Sequence, residues 1–285
     1  MGAADIIPGV SGGTVALITG IYERLIDAIK SVNLLFVPYF FRGFVDRKYF
    51  TKAKENFLGI DFKLLLPLIA GIAAAFLLIA NMIGPLYDNY PTYTYAFFFG
   101  LILSSSFFVY ASVGKINFSV PVFILLGFLA GFFIVGLEAI QATHTLPIIF
   151  FSGVITICAM ILPGISGAFI LLLLGQYKFM LDILRGFTSL DFSGFSYALS
   201  YVAGGVVGIL VLSRILSYLI KNYRIATLSF LLGLMLGALR KPGELVMNNP
   251  ENIAITVVSA ATGVLIVSLF GYYKFYADKK SASLS

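Results

Sequence analysis

The chain is poor in charge, nearly without cysteine and histidine, and has no tryptophan. Only 11% of its 285 residues are Asp, Glu, Lys or Arg, less than half of the roughly 25% that covers a soluble domain. That shortage excludes a water-exposed globular fold. The single cysteine, Cys158, lies inside an apolar run and excludes an intramolecular disulfide or a multi-cysteine metal site. The lone His144 excludes a histidine metal cluster, so no metal is expected. In place of charge, 60% of the residues are hydrophobic and the mean hydropathy is +0.99. Apolar stretches of spanning length recur, including 64–87, where Asn81 is the strongly polar interruption. The expected fold class is an all-α integral membrane protein, one membrane domain over 1–285. The N-terminus has no basic region followed by an apolar core, so no cleavable signal is expected.

Apolar segments cover 6–21, 64–87, 95–113, 119–137, 146–177, 197–220, 226–239 and 252–273. The segment 146–177 is too long for one span and is interrupted by Pro163 and Gly164, which predicts two shorter arms joined by a non-helical turn. An internal repeat organises the rest. A shift of 155 carries PGVSG at 8–12 onto PGISG at 163–167, Gly20 onto Gly175, Tyr22 onto Tyr177, Asp27 onto Asp182 and Lys30 onto Arg185. A shift of 133 carries Gly71 onto Gly204, Asn89 and Tyr90 onto Asn222 and Tyr223, and Gly100 onto Gly233. Each half reads as a hairpin motif followed by three spans. The expected architecture is an inverted-topology repeat, 1–137 and 138–285, with two re-entrant Pro-Gly-x-Ser-Gly hairpins and about six transmembrane helices.

Tracing the spans puts fourteen Lys and Arg on one side, among them Arg24, Lys221 and Arg224, and four on the other: Lys178, Arg185, Arg240 and Lys241. The positive-inside rule makes the first side cytoplasmic, with the basic loops and the C-terminus. The net charge of +6 is thereby assigned to topology and anionic lipid headgroups, and no nucleic-acid partner is expected. The first half carries an insertion, 31–62, that mixes Phe36, Tyr39, Phe40, Phe41 and Phe44 with Arg42, Arg47, Lys48, Lys52 and Lys54. This pattern predicts an amphipathic element in the headgroup layer.

The two motifs combine a helix breaker, glycines and a hydroxyl where a new helix starts. Pro8, Gly9, Ser11, Gly12, Gly13 and Thr14 in the first, and Pro163, Gly164, Ser166 and Gly167 in the second, are candidate ligands for an anion at turns meeting near the midplane. Close-packing kinks in ordinary helices are the alternative. Arg214, buried in a span by sequence, is a candidate phosphate ligand whose fork suits that anion, or a side chain snorkelling to the interface. Asn81 is its counterpart in the first half. Asp5 is either a coupling site for a proton or sodium gradient or a helix cap. Arg24, Arg185 and Arg240, with Lys178 and Lys241, could gather a headgroup at the mouths or simply snorkel. Ser104, Ser105 and Ser106 line a polar path or bond back to their helix. The Gly-x-x-x-Gly pairs at 127 and 131, 204 and 208, and 233 and 237 read as packing faces.

Residues 1–14, MGAADIIPGVSGGT, followed by GIYER at 20–24, closely resemble the signature of the bacterial polyprenyl-phosphate transporter family, and ILPGISG at 161–167 resembles its internal copy. The resemblance implies a flippase that carries undecaprenyl phosphate, the lipid carrier of cell-wall synthesis, from the outer to the cytoplasmic leaflet of the bacterial plasma membrane. It implies polyprenyl phosphate and membrane lipids as partners and no cofactor. Seven residues precede Pro8, whereas a long apolar arm precedes Pro163, so the first hairpin is expected to lack its leading arm here. An intramembrane polyprenyl-pyrophosphate phosphatase is the chief rival, but Gly12 and Gly167 stand where such enzymes carry an arginine after the serine, and a paired-glutamate cluster is missing. A carrier for a small soluble anion is the third reading, because backbone N–H groups bind lipid-borne and free phosphate alike.

Overall fold

The computed structural model describes residues 1–2, 11–114, 117–137, 143–188, 190–248 and 252–282. All regular structure among them is helical. Two short helices share one design. Helix α1, Gly12–Ile18, starts where Ser11 takes an extended backbone and its hydroxyl accepts the Gly13 N–H at 3.1 Å. It stops at Gly20, φ +71°, with the N–H groups of Gly20 and Ile21 returned to the carbonyls of Leu17 and Ala16. Helix α2, Tyr22–Ser31, follows.

After α2 the insertion forms α3, Phe36–Gly43, and α4, Lys48–Leu58. These two pack on each other through Phe40 and Phe50, with ring centroids 5.7 Å apart, while Phe41, Phe44 and Val45 stay exposed. Two long helices come next: α5, Phe62–Asn89, and α6, Pro91–Val113. Pro91 lacks an amide proton and separates them, with Tyr90 between at φ −136° and ψ 55°. Helix α7, Ser119–Val135, closes this part.

The second motif splits its apolar run as its proline predicts, into α8, Leu146–Ile161, and α9, Gly167–Leu173. Ser166 caps α9, and Gly175, φ +67°, ends it with the same paired bonds to Leu172 and Leu171. The bounds of α9 are those of α1 moved by 155. Helix α10, Tyr177–Thr188, follows, and then α11, Phe195–Ala238, α12, Arg240–Asn248, and α13, Ile253–Ala282.

The sequence predicts separate spans at 197–220 and 226–239, and the structure has two helical arms there, labelled together α11, that meet at a kink where Tyr223 takes non-helical angles, φ −135° and ψ 43°. No proline or glycine stands at 221–225, so helical bonding resumes past the bend, and the Thr227 hydroxyl donates to the Tyr223 carbonyl at 2.9 Å. Moved back by 133, the start of α11 falls on that of α5 and its bend falls on Tyr90.

Lipid tails are as apolar as leucine, so helices in a membrane associate by close packing. Glycines permit it at three seams. Gly127 and Gly131 of α7 lie against the carbonyls of Phe230 and Leu234, with Gly233 and Gly237 of α11 facing back. Gly153 of α8 meets Tyr201, and Gly204 meets Phe150, on the other arm of α11; Gly100 of α6 meets Ala260 of α13. Outward faces carry Phe107, Leu125, Phe133, Phe151, Val202 and Val257, all exposed. Such a belt belongs in hydrocarbon, and the chain is a membrane protein. At one end, Arg224 pairs with Glu23 at 2.9 Å and Lys221 with Asp27 at 3.4 Å, joining α2 to the bend of α11.

Candidate functional site

The two motifs lock onto each other. The Ser11 hydroxyl donates toward two carbonyls of the second motif, Met160 and Leu162, each at 3.1 Å. In return, the Gly164 N–H donates to the Thr14 hydroxyl at 2.9 Å. Gly13 sits so near Ile161 that a Cβ would collide with the Ile161 carbonyl. Gly164 has φ +88°, and a Cβ there would come within 2.8 Å of the Met235 Cα on α11. The left-handed angle and the close approach both require glycine.

Ser11, Thr14 and Ser166 are buried, and Ile165 and Phe169, which flank Ser166 in sequence, belong to one apolar core with Leu231 and Leu234. Such burial is tolerable because the hydroxyls have partners. What the site offers chemically is a set of O–H and N–H donors on two joined turns. The Ser11 hydroxyl donates to carbonyls, and among the described residues no base accepts from it.

Of the residues singled out in the sequence, Ser11, Gly13 and Thr14 meet the segment holding Pro163 and Gly164. Gly12 and Gly167 open the two short helices, and Ser166 caps its own, accepting the Phe169 N–H at 3.4 Å. Asp5, Pro8 and Gly9 lie outside the described residues, as do the side chains of Asn81 on α5 and Arg185 on α10. Arg214 is on an exposed flank of α11 and donates to the Leu210 carbonyl one turn back at 2.8 Å, away from the turns. Arg24 pairs with Asp61 at 3.7 Å.

Arg240 is engaged rather than open: it binds Glu244 at 2.6 Å, donates to the Phe132 carbonyl at 3.1 Å and lies over the Phe132 ring. It clasps α12 to α7. Lys178 is exposed, and Lys241 stands 5.8 Å from the centre of the Phe169 ring on α9. Ser105 and Ser106 bond back to Leu101 and Leu103, and Ser104 reaches Val264 and Ser268 of α13. A pocket of about 260 Å³ between α10 and the start of α11 is lined by Asp182, Asp191 and Tyr197. The Ser193 N–H, 2.9 Å from Asp191, holds that carboxyl below the usual carboxylate range, and this acidic wall repels phosphate.

Two features escaped the sequence reading. The cross-turn bonds join residues about 150 positions apart, which no local pattern announces. Gln176, fully buried beyond Gly175, bonds His144 at 2.7 Å, and His144 stacks on Phe179 at 4.1 Å. A lone amide at the end of an apolar run was the available signal. Among the described residues no three His, Cys, Asp or Glu side chains converge to hold a metal.

A family model described as VCA0040-like, undecaprenyl phosphate translocase-like, matches residues 1–249, and so takes in both motifs and both arms of α11. The chain belongs to the undecaprenyl phosphate translocase-like family. A polyprenyl-phosphate transporter of Vibrio cholerae serotype O1 is 39% identical over 244 residues, 85% of this chain and 74% of that protein. A polyprenyl-phosphate transporter of Staphylococcus aureus is 27% identical over 288 aligned positions, covering 95% of this chain and 90% of the relative. No solved structure matches the chain. Within the translocase-like family, the buried donors at the joined turns are this chain's candidate headgroup ligands.

Proposed function

We propose that the chain is a flippase that moves polyprenyl phosphate, undecaprenyl phosphate in particular, across the bacterial plasma membrane and returns it to the cytoplasmic leaflet for cell-wall synthesis. The single observation that carries this reading is the mutual bonding of the two turns, Ser11 to Met160 and Leu162 and Gly164 to Thr14. A phosphate oxygen accepts what those carbonyls and that hydroxyl accept. When the turns part, the Ser11 and Thr14 hydroxyls and the Gly164 N–H become its donors, and a dehydrated phosphate is held by charge-assisted bonds stronger than the neutral ones they replace. The inverted repeat makes the opening equivalent from either leaflet. No bond in the lipid is made or broken. Arg214 meets the headgroup only on an exposed flank, on its way to the interface, and a proton or sodium gradient acting through Asp5 supplies the direction.

The test uses proteoliposomes holding the full chain, a fluorescent polyprenyl phosphate and a membrane-impermeant quencher. Leaflet exchange that needs the protein, releases no phosphate from polyprenyl pyrophosphate and resists millimolar inorganic phosphate supports the flippase. Phosphate release without exchange points to the enzyme, and competition by inorganic phosphate to a soluble-anion carrier.

A further inference from the structure

The bend of α11 holds an apolar groove of about 540 Å³, within the roughly 300–1,000 Å³ of ligand cavities. It is walled by Phe123 of α7 and by both arms of α11, with Ile215 before the bend and Ala226 and Phe230 after it; Tyr223 stands at the rim. Leu162 lines it from the second motif. That residue ties the groove to the joined turns, because its carbonyl is one of the two that take the Ser11 hydroxyl.

Apart from the Tyr223 phenol at its rim, the groove offers its occupant little polar surface. Of its two aliphatic hydroxyls, Thr227 donates to the Tyr223 carbonyl and Ser119 to the Asn117 side chain at 2.6 Å. No lysine, arginine, aspartate or glutamate lines it. A headgroup is excluded and hydrocarbon is required.

Resting on the function proposed above, we infer that this groove is the tail site of the transported lipid: it holds the isoprene units next to the phosphate, with the phosphate at the Ser11–Leu162 junction and the rest of the tail in the bilayer. The groove therefore takes up the tail, while the turns take up the phosphate.

Binding of undecaprenyl phosphate to the purified full chain is measured for the unmodified protein, for Ala226→Phe, which fills the groove, and for Val202→Phe, which puts the same aromatic ring on an exposed flank of the same helix. The expected result is affinity weakened at least tenfold by Ala226→Phe and changed less than twofold by Val202→Phe. Because the chain has no tryptophan, Tyr223→Trp supplies a single reporter at the rim that does not depend on the filled variant folding. Its emission should be quenched by undecaprenyl phosphate brominated in the first isoprene units, and much less by brominated phosphatidylcholine at equal mole fraction. Equal quenching by both lipids, or unchanged affinity in folded Ala226→Phe, overturns the groove and leaves the flippase standing. No saturable binding by the unmodified chain overturns both.

Discussion

Thr14 is the residue on which the joined turns most directly depend. Its hydroxyl is fully buried and accepts the Gly164 N–H at 2.9 Å. Thr14→Val keeps the shape and leaves that N–H buried without an acceptor, at a cost of about 1–3 kcal/mol. The expected outcome is a lower unfolding midpoint in detergent and leaflet exchange reduced severalfold, both restored by Thr14→Ser; an unchanged midpoint would mean that the bond contributes nothing. The importance of this position was legible in the sequence because breaker, glycine and hydroxyl act locally. Its partner was not legible, since Gly164 is 150 positions away and only the packed molecule brings it near. Arg214 was legible only as a pair of alternatives, a phosphate ligand or a snorkelling side chain; in the structure it is exposed and its guanidinium donates to the Leu210 carbonyl.

At the level of the element, matched glycines at the 133 offset have opposite surroundings. Gly204 on α11 is pressed against the Phe150 carbonyl of α8, where a Cβ would collide; Gly71 on α5 has no described atom within 4 Å. Gly204→Ala forces the two helices apart and should destabilise by about 1–3 kcal/mol. Gly71→Ala should be neutral or stabilise by up to about 1 kcal/mol through helix propensity. Thermal unfolding of the two variants in one detergent checks this, and equal effects would refute the asymmetry. The half-exposed pair of Glu23 and Arg224 belongs to the same level. Glu23→Gln should shift stability by less than about 1 kcal/mol, because water and salt screen such pairs. Helices were legible where an apolar run and a breaker agreed, as at Pro163. The break at Tyr223 was legible as well, because the polar stretch at 221–225 interrupts two apolar runs.

For the molecule as a whole, the donors that the proposed function offers to phosphate are the ones that join the two turns. Ser11 is 1% exposed, Thr14 0% and Ser166 3%, so a headgroup reaches them only when the turns separate. Separation breaks the Ser11 and Thr14 bonds, each worth about 0.5–1.5 kcal/mol net, which is small enough for the differential binding of a charged ligand to shift the balance. Transport then predicts a change in access at one atom. In a Cys158→Ser background, where no other thiol remains, Ser11→Cys should react slowly with a membrane-impermeant maleimide in the absence of lipid. Polyprenyl phosphate at low occupancy should speed the reaction severalfold by promoting opening, and saturating lipid should slow it again by covering the thiol. Inorganic phosphate at the same concentration should do neither, since without a tail it has no hold on the groove at the bend of α11. A rate that ignores polyprenyl phosphate throughout would leave the turns as a fixed packing device and place the lipid path elsewhere in the molecule.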